Sequence, residues 1–536
     1  MRTLLRESYE PLLQEDKQEI AVRVRRPTRP GEEVLDDATF KTIEVDKLFD
    51  VINTSITVVG QATLYRSLSH PLTSVEVIQA KQEALRELDS NPKLLDQIEA
   101  MLARAAKYEK DFFKLLFGTF VGLMGTPQAK TDVEGYGYKH FKNGRSFMLD
   151  LVRDARDLPD PESGYLRAII EEIREFGTTR SSQLMRGPIY LTERGLKTND
   201  EKPPYLPALR FRPTLFKPLL VGAMLAATVI ISKAMPMVGD TFSSGAPLLF
   251  ALLLPGFLLY IPAVGGFDRE SFIYPLRNGY KKSAEVQHTL DALGKLDELL
   301  SFHRYAKAFG SSMILPTVTA ADRHFVTLHQ VRNPTLGKGN PGYVPNDIIL
   351  HRDRTTFITG PNSGGKTAFC KTLTQTQLLA KVGCYVPAEK AEMAVADRIF
   401  YQAPEMSSLE DEEGRFGTEL KHTKAIFLAA TPQSLIILDE LSEGTTFEEK
   451  LETSYNVLKG FARIGSTTLL ITHNHHLVDR FVKERIGQCR QLEFAGDAPT
   501  YRLIEGISRV SHADRVARKI GFAKEDIERY LTERGY

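Results

Sequence analysis

The chain has 536 residues, which is enough for several domains, and its 42% hydrophobic and 26% charged residues are typical of a globular protein. Lysine and arginine number 69 against 68 aspartates and glutamates, so the net charge of +1 excludes a protein held on nucleic acid by bulk positive charge. Three cysteines, Cys370, Cys384 and Cys489, are too few and too scattered for a disulfide framework or a thiolate zinc site.

The first part of the chain is predicted to be mostly helical. Ser74 can cap a helix whose apolar residues, from Val75 to Leu88, recur at helical spacing. Residues 283–309 show the same kind of amphipathic pattern. Residues 126–146 are rich in glycine and polar side chains and are predicted to form a loop.

An uncharged stretch interrupts this helical part. Residues 218–232 carry no charge, and residues 241–267 are uncharged throughout. A membrane-spanning helix needs about 20 apolar residues, so a transmembrane helical hairpin is expected over 218–267. Lysines and arginines on both outer flanks place both ends, in this two-helix, multi-pass topology, on the cytoplasmic face of the membrane. Three prolines in the second run leave a buried hairpin in a helical core as the alternative.

From about residue 311 onward, short strands rich in β-branched residues alternate with helical stretches, which is the pattern of an α/β sheet domain. The sequence therefore predicts three parts. These are an N-terminal segment (1–34), a helical domain (35–310) that contains the hairpin 218–267, and an α/β domain with C-terminal helices (311–536).

One glycine-rich segment fits the pattern GxxxxGK[ST] between a predicted strand and a predicted helix. It consists of Gly360, Pro361, Asn362, Ser363, Gly364, Gly365, Lys366 and Thr367. The backbone N–H groups of such a loop cradle phosphates at a helix N-terminus. We expect Lys366 to reach the β- and γ-phosphates of a nucleotide and Thr367 to bind Mg²⁺.

Two later apolar strands end in polar residues. The first ends at Asp439 and Glu440. Asp439 is expected to hold Mg²⁺ through water, and Glu440 to orient or deprotonate the attacking water. The second strand ends at His473, which is placed to sense the γ-phosphate. A zinc site with His475 and His476 is the alternative, but no nearby carboxylate or thiolate spacing supports it.

Together these motifs predict an ATPase, since no guanine-reading segment of the NKxD type is evident. The segments TGPNSGGKT, VGCYVPAEKAEMAVADRIF, SLIILDELSEGTT and TTLLITHNHHL resemble the ATPase domain of the MutS family, a branch of the ABC-type ATPases. RNPTL at 332–336 and YVPND from Tyr343 resemble segments upstream of that loop. The resemblance implies an α-helical MutS-like core followed by an ABC-type P-loop ATPase domain. It also implies that Tyr343 stacks on the adenine of ATP.

The sequence also departs from the family pattern. Only about 34 residues precede the predicted core, so the mismatch-recognition domain of the family is expected to be absent. The predicted hairpin stands where the family's levers and DNA clamp should lie. The segment Glu413–Thr418 aligns poorly with the family's signature loop, which touches the partner subunit's nucleotide, and is our candidate for that loop.

These features leave three functions open. The first is a membrane-tethered ATPase that couples Mg²⁺-dependent ATP hydrolysis to DNA binding in mismatch repair or related DNA maintenance. The second is a membrane ATPase whose nucleotide cycle moves a membrane segment or partner without a DNA role. The third is a nucleotide-dependent scaffold, which the presence of Glu440 disfavours. The resemblance to ABC-type ATPases implies that each nucleotide site is completed by a loop from the opposite subunit. Because one chain carries only one P-loop and one Asp-Glu strand, a homodimer is expected. Further protein partners are not specified by the sequence.

Overall fold

The computed structural model describes residues 28–536, except 123–134, 203, 206, 219, 223–225, 227–229, 231–259, 261, 352–354, 362–363, 405–413, 442–446, 496–497, 510–516 and 519. The chain divides into two compact units. In the described part, one unit contains residues 55–63 and 87–300, and the other contains 28–54, 64–86 and 301–536. The predicted combination of helical and α/β parts is confirmed, whereas the predicted boundaries 1–34, 35–310 and 311–536 stay a prediction.

The described elements up to residue 308 are mainly helices, with a few short strands. The helices are α1 (Asp37–Thr42), α2 (Val45–Ile52), α3 (Val58–Ser69), α4 (Val75–Ser90), α5 (Pro92–Phe117), α6 (Tyr138–Asp157), α7 (Gly164–Phe176), α8 (Arg180–Arg186), a π-helix (Arg269–Ile273) that leads into α9 (Tyr274–Lys282), and α10 (Ala284–Ala308). The strands are β1 (Phe120–Gly122), β2 (Tyr136–Gly137), β3 (Tyr190–Thr192), β4 (Gly195–Lys197) and β5 (Leu209–Arg210).

Strands and helices alternate in the rest of the chain. The strands are β6 (Thr317–Thr319), β7 (Val326–Val331), β8 (Asn346–Leu350), β9 (Thr355–Thr359), β10 (Lys390–Ala394), β11 (Ile399–Gln402), β12 (Leu435–Asp439), β13 (Thr467–Ile471), β14 (Gln488–Ala495) and β15 (Ala498–Glu505). The helices are α11 (Lys366–Lys381), α12 (Gly414–Ala429), α13 (Phe447–Ile464), α14 (His475–Lys483) and α15 (Lys524–Glu533).

The main sheet of the second unit has the strand order β11-β12-β13-β9-β14-β15 in the part of the chain that is described. The strands from β11 to β14 pair in parallel, and only β15 runs antiparallel at one edge. Every residue of β9 and β13 is buried, as expected for parallel strands covered on both faces. A smaller sheet in the same unit has the order β6-β10-β7-β8.

Helix α6 begins inside the segment that was predicted to be a loop. Buried Tyr138, Phe141 and Phe147 follow helical spacing along it. Its Gly144 faces α5 so closely that a Cβ there would lie 2.8 Å from the backbone oxygen of Asp111. The loop prediction was therefore wrong from residue 136 onward, where β2 and then α6 begin. Within α6, Gly144 allows two helices to pack closely rather than marking a turn.

The described residues contain no helix that is both long and apolar enough to cross a membrane. The predicted two-helix, multi-pass location at the cytoplasmic face of the membrane is therefore wrong. Most of the predicted hairpin, including 231–259, lies outside the described residues. The flanks make internal contacts: Lys217 donates to buried Asp268 at 2.7 Å, and the Tyr260 hydroxyl donates to the backbone oxygen of Leu215 at 2.9 Å. A count of uncharged residues does not reveal such contacts.

Two buried carboxylates satisfy the backbone donors at the start of α3. Glu109 accepts hydrogen bonds from the N–H groups of Val58 and Val59, each at 2.8 Å. Asp297 accepts from both the N–H and the hydroxyl of Thr57 at 2.7 Å. A negative side chain is favourable at a helix N-terminus. Burial nevertheless dominates at Glu109 and raises its pKa to about 7, and the charge of Asp297 adds to the increase.

This raised pKa predicts a pH-dependent stability that Glu109→Gln removes. The pKa of Glu109 lies above its ordinary value of 4.5, so the folded chain binds more protons than the unfolded chain between about pH 4.5 and 7. The free energy of unfolding then falls as pH rises through this window, by at most about 3 kcal/mol. Urea unfolding of both proteins from pH 4.5 to 8 measures the difference in slope. Parallel pH profiles for the wild type and Glu109→Gln would contradict the assignment.

Candidate active site

Three strand ends meet at one edge of the main sheet. Strand β9 leads into the glycine-rich loop 360–365, β12 ends at Asp439, and β13 ends two residues before His473. These strands are parallel and β13 lies between the other two. Their carboxyl ends therefore lie on the same edge, which is the usual position of ligand sites in α/β sheets. The strand order places His473 between the loop and the two acidic residues.

The loop adopts backbone conformations that require glycine. Gly360 has φ 128° and Gly365 has φ 93°, both in the left-handed region. Gly365 directly precedes α11 and, as glycine, offers no side chain to cap that helix, so the first N–H groups of α11 can bind an anion. The Gly364 N–H donates to the backbone oxygen of Pro361 at 3.2 Å. The predicted members Asn362 and Ser363 lie outside the described residues.

Lys366 is held inside this loop. Only 2% of its surface is exposed, and its Nζ donates to the backbone oxygen of Gly360 at 2.6 Å. The same Nζ lies 3.3 Å from Nε2 of His473. Burial lowers the pKa of Lys366 to about 8, although the charges of Glu440 and Asp439 act in the opposite direction. An anion bound in the loop would favour the charged form of this amine.

Thr367 and Asp439 present oxygen atoms side by side. The Thr367 hydroxyl donates to Oδ2 of Asp439 at 3.0 Å. A hydroxyl and a carboxylate are suitable ligands for Mg²⁺, which typically takes few protein ligands and completes its shell with water and substrate phosphates. The described residues contain no group of three or more metal-binding His, Cys, Asp or Glu side chains. This donor set therefore fits a magnesium ion that arrives with a phosphate ligand better than one held by protein alone.

Glu440 has an unusual backbone conformation for a residue other than glycine. Its φ is 56°, and its N–H donates to the backbone oxygen of Ile471 at 3.0 Å. Strain of this kind often occurs at functional sites. The conformation brings Oε1 of Glu440 to 3.4 Å from Nε2 of His473. The pair remains partly exposed, so this carboxylate can reach water at the loop. His475 and His476, by contrast, begin α14.

Tyr343 lies beside the helix that follows the loop. Its hydroxyl is 3.5 Å from the hydroxyl of Thr372 on α11, and its backbone oxygen accepts a hydrogen bond from Arg332 at 3.0 Å. The residue is partly exposed. Its predicted stacking on adenine stays a prediction.

Asn333 also contributes to this region, although no role was predicted for it. Buried Asn333 donates to Thr372 at 3.1 Å and to Gln375 at 3.2 Å, and its Oδ1 accepts from the Thr335 N–H at 3.0 Å. Asn333 thus fastens the preceding loop to α11. Its occurrence in the RNPTL segment was the only signal in the sequence.

Tyr501 reaches the glycine-rich loop from a distant part of the chain. It has φ 62° and is about half exposed. A Cβ on Gly365 would lie 3.4 Å from its ring, so the ring flanks the start of α11. Asn346 holds this stretch of β15 by accepting from the Leu503 N–H at 2.6 Å and donating to the Tyr501 oxygen at 3.0 Å. No local pattern marks Tyr501, because the β14–β15 pairing alone brings it here.

Residues 356–530, which include this whole sheet edge, match the family described as MutS domain V. A DNA mismatch repair protein MutS from Caldicellulosiruptor bescii is 31% identical over 257 residues, 46% of this chain and 29% of the relative. An Endonuclease MutS2 from Caldanaerobacter subterraneus subsp. tengcongensis is 31% identical over 264 residues, 48% of this chain and 33% of the relative.

One match extends over most of the chain. A DNA mismatch repair protein MutS from Methanothrix thermoacetophila is 24% identical over 541 residues, which covers 92% of this chain and 61% of the relative. The chain thus matches between about a third and three fifths of the length of these relatives. Together the matches support the resemblance to the MutS family. They do not support the predicted absence of a recognition domain or the predicted transmembrane hairpin.

The contacts of Asn333 predict a large loss of stability in Asn333→Ala. The substitution leaves several buried polar groups without their partner, which costs about 2–4 kcal/mol. Asn340→Ala is the matched control, since Asn340 is exposed and belongs to the same loop; we expect about 0.5 kcal/mol or less for it. Chemical denaturation of the three proteins measures both values. Equal midpoints for the two variants would show that Asn333 does not fasten the loop to α11.

Proposed function

We propose, from the relationship to the MutS family, that this chain is an ATPase. It hydrolyses ATP with Mg²⁺ and couples the reaction to DNA binding in mismatch repair or related DNA maintenance. The observation that carries the proposal is the convergence of Lys366, Asp439, Glu440 and His473 at one sheet edge. This edge lies within the stretch that matches MutS domain V. Membrane tethering forms no part of the proposal.

Each residue of the edge has a role in this chemistry. The loop Gly360–Thr367 binds the phosphates through its backbone N–H groups, and Lys366 neutralises the charge of the β- and γ-phosphates. Thr367 and, through water, Asp439 would hold Mg²⁺, which would supply stabilisation of the charge on the transferred phosphoryl group. Glu440 orients and deprotonates the attacking water, and His473 contacts the γ-phosphate.

The strand order supports an ATPase of the ABC type. Because β13 lies between β9 and β12, a space remains between the phosphate loop and Glu440, and His473 lies within hydrogen-bonding range of both sides. A water molecule positioned by Glu440 can then face the terminal phosphate. Tyr343 and Tyr501 flank α11 and its start, respectively, and we assign the adenine contact to Tyr343.

DNA is the proposed partner because the matched relatives are DNA mismatch repair proteins and an endonuclease. A homodimer is proposed because this chain carries one phosphate loop and one Asp-Glu strand end. The segment Glu413–Thr418 is our candidate for the contact with the partner's nucleotide. Glu413 lies outside the described residues, and Gly414 begins α12.

The role of Glu440 predicts that Glu440→Gln binds ATP but turns it over at least 100-fold more slowly, since general-base catalysis contributes about 10²–10⁴ in rate. Steady-state phosphate release and equilibrium ATP binding measure the two effects. Glu448→Gln, an exposed position on α13, is the matched control and should keep the wild-type rate. Wild-type turnover by Glu440→Gln would remove Glu440 from the mechanism.

The proposed coupling predicts that ATP changes both oligomeric state and DNA affinity. Sedimentation of Glu440→Gln with a fluorescent duplex, in ATP and separately in ADP, measures the mass of the complex and the fraction bound. We expect two chains per complex in ATP and a DNA affinity that differs between the nucleotides. DNA binding should weaken as salt increases. A chain that stays monomeric, with no DNA bound in either nucleotide at low salt, would refute the proposal.

A further inference from the structure

A small cavity in the helical unit carries an excess of positive charge. It has a volume of about 220 Å³ and lies between α6 and α8. Helix α6 contributes Arg153, Arg156 and Asp157, and α8 contributes Ser182 and Arg186. Three guanidinium groups thus face one carboxylate. None of these residues belongs to the sheet edge described above.

Two of the guanidinium groups converge on one residue of the chain. Arg186 donates from Nη2 to the backbone oxygen of Gly177 at 3.3 Å. Nη2 of Arg156 lies 2.5 Å from the position that a Cβ on Gly177 would take, so glycine is what allows this approach. In the described part of the chain neither guanidinium forms an ion pair, whereas Arg153 pairs with Asp150 at 2.9 Å. Both arginines are exposed, so an anion from solvent can reach their guanidinium groups.

A buried hydroxyl provides a second, independent observation. Ser182 is fully buried, and its Oγ has no hydrogen-bond partner among the described residues. Its backbone N–H is satisfied by the hydroxyl of Thr179 at 3.2 Å, so only the side chain is left without a partner. Buried hydroxyls are nearly always hydrogen-bonded, because an unsatisfied one costs about 1–3 kcal/mol. The Ser182 side chain lines the cavity, where a bound acceptor would satisfy it.

We propose that this cavity binds a phosphate group. Arg156 and Arg186 supply planar forks of N–H donors that match its oxygens, and Ser182 donates one further hydrogen bond. Together with the carboxylate of Asp157, the two unpaired guanidinium groups leave an excess of about one positive charge in the cavity. This excess attracts a phosphate group, which carries roughly two negative charges near neutral pH. The same chemistry fits free inorganic phosphate and a phosphate of a nucleic-acid backbone. The proposal does not depend on ATP hydrolysis at the sheet edge.

Equilibrium dialysis of the full chain against labelled inorganic phosphate tests the proposal. The double variant Arg156→Gln/Arg186→Gln should bind phosphate at this site at least tenfold more weakly. Arg194→Gln, an exposed arginine at the β3–β4 turn, is the matched control. Phosphate bound at the Gly360–Thr367 loop contributes equally to all samples, because none of these substitutions lies there. Equal phosphate binding by the double variant and Arg194→Gln would overturn the proposal.

Ser182→Ala separates binding from a structural effect. The substitution removes an unpartnered hydroxyl, so the thermal midpoint without phosphate should stay the same or rise. Phosphate affinity should nevertheless fall several-fold. A lower midpoint without phosphate, together with unchanged phosphate affinity, would show that the hydroxyl has a structural partner and would count against the site.

Binding of a duplex without terminal phosphates, over a range of salt concentrations, distinguishes the two sources of phosphate. If the cavity takes a backbone phosphate, the slope of log affinity against log salt is less steep by about one for the double variant than for Arg194→Gln. Inorganic phosphate then also competes with the duplex. If the cavity takes free phosphate, duplex binding is the same for both variants while phosphate binding differs. Each result supports the site and identifies its ligand. ATP turnover without DNA is a separate readout for the proposed function.

Discussion

The burial of β9 and β13 on both faces is the constraint on which the candidate active site depends. Two such strands can lie side by side only if their polar residues are confined to the ends, because an unpaired polar group inside the layer would be costly. Parallel pairing then brings the carboxyl ends together at one edge. The loop at Gly360, the acidic pair at Asp439 and the imidazole of His473 follow from this arrangement. The chemistry is positioned by a sheet that takes no part in it.

Two residues of the candidate active site adopt states that are costly in the folded chain. Lys366 is almost completely buried, which lowers its pKa to about 8, and Glu440 holds a left-handed backbone conformation. Both features cost free energy in the folded chain. The rigid sheet compensates by fixing both residues where a phosphate-bearing ligand would meet them. The cavity between α6 and α8 also contains a buried hydroxyl, that of Ser182, without a partner among the described residues.

The helical unit uses its buried charges differently. Glu109 and Asp297 are inside the unit, yet both accept backbone hydrogen bonds at the start of α3. Glu109 accepts from the first two residues of the helix, and Asp297 accepts from Thr57 just before it. They act as caps contributed by other helices and add to the local cap, in which the Gly60 N–H donates to the Thr57 hydroxyl at 2.9 Å. A mutation at either position would therefore act on a helix that is distant in sequence. This is also why neither residue could be identified from the sequence as a capping residue.

The sequence by itself determined the parts of this protein that depend on short patterns. The motif Gly360–Thr367 and the strand ends at Asp439 and His473 each occupy a few adjacent residues, whose spacing reflects local backbone geometry. Only the tertiary structure decided which distant residues join them. Tyr501 reaches Gly365 through the β14–β15 pairing, and Asn333 binds α11 through side-chain contacts that leave no periodic signal.

Tertiary structure also decided the outcomes that the sequence left ambiguous. Glycine is common both in turns and where helices pack closely. Gly144 was therefore predicted to belong to a loop, although it lies within α6. Uncharged residues occur both in membrane-spanning helices and in protein interiors. The stretch 218–267 was therefore predicted to be a transmembrane hairpin, although the described residues contain no helix that could cross a membrane. At Gly144 the environment is set by contacts with α5, which the local sequence does not show.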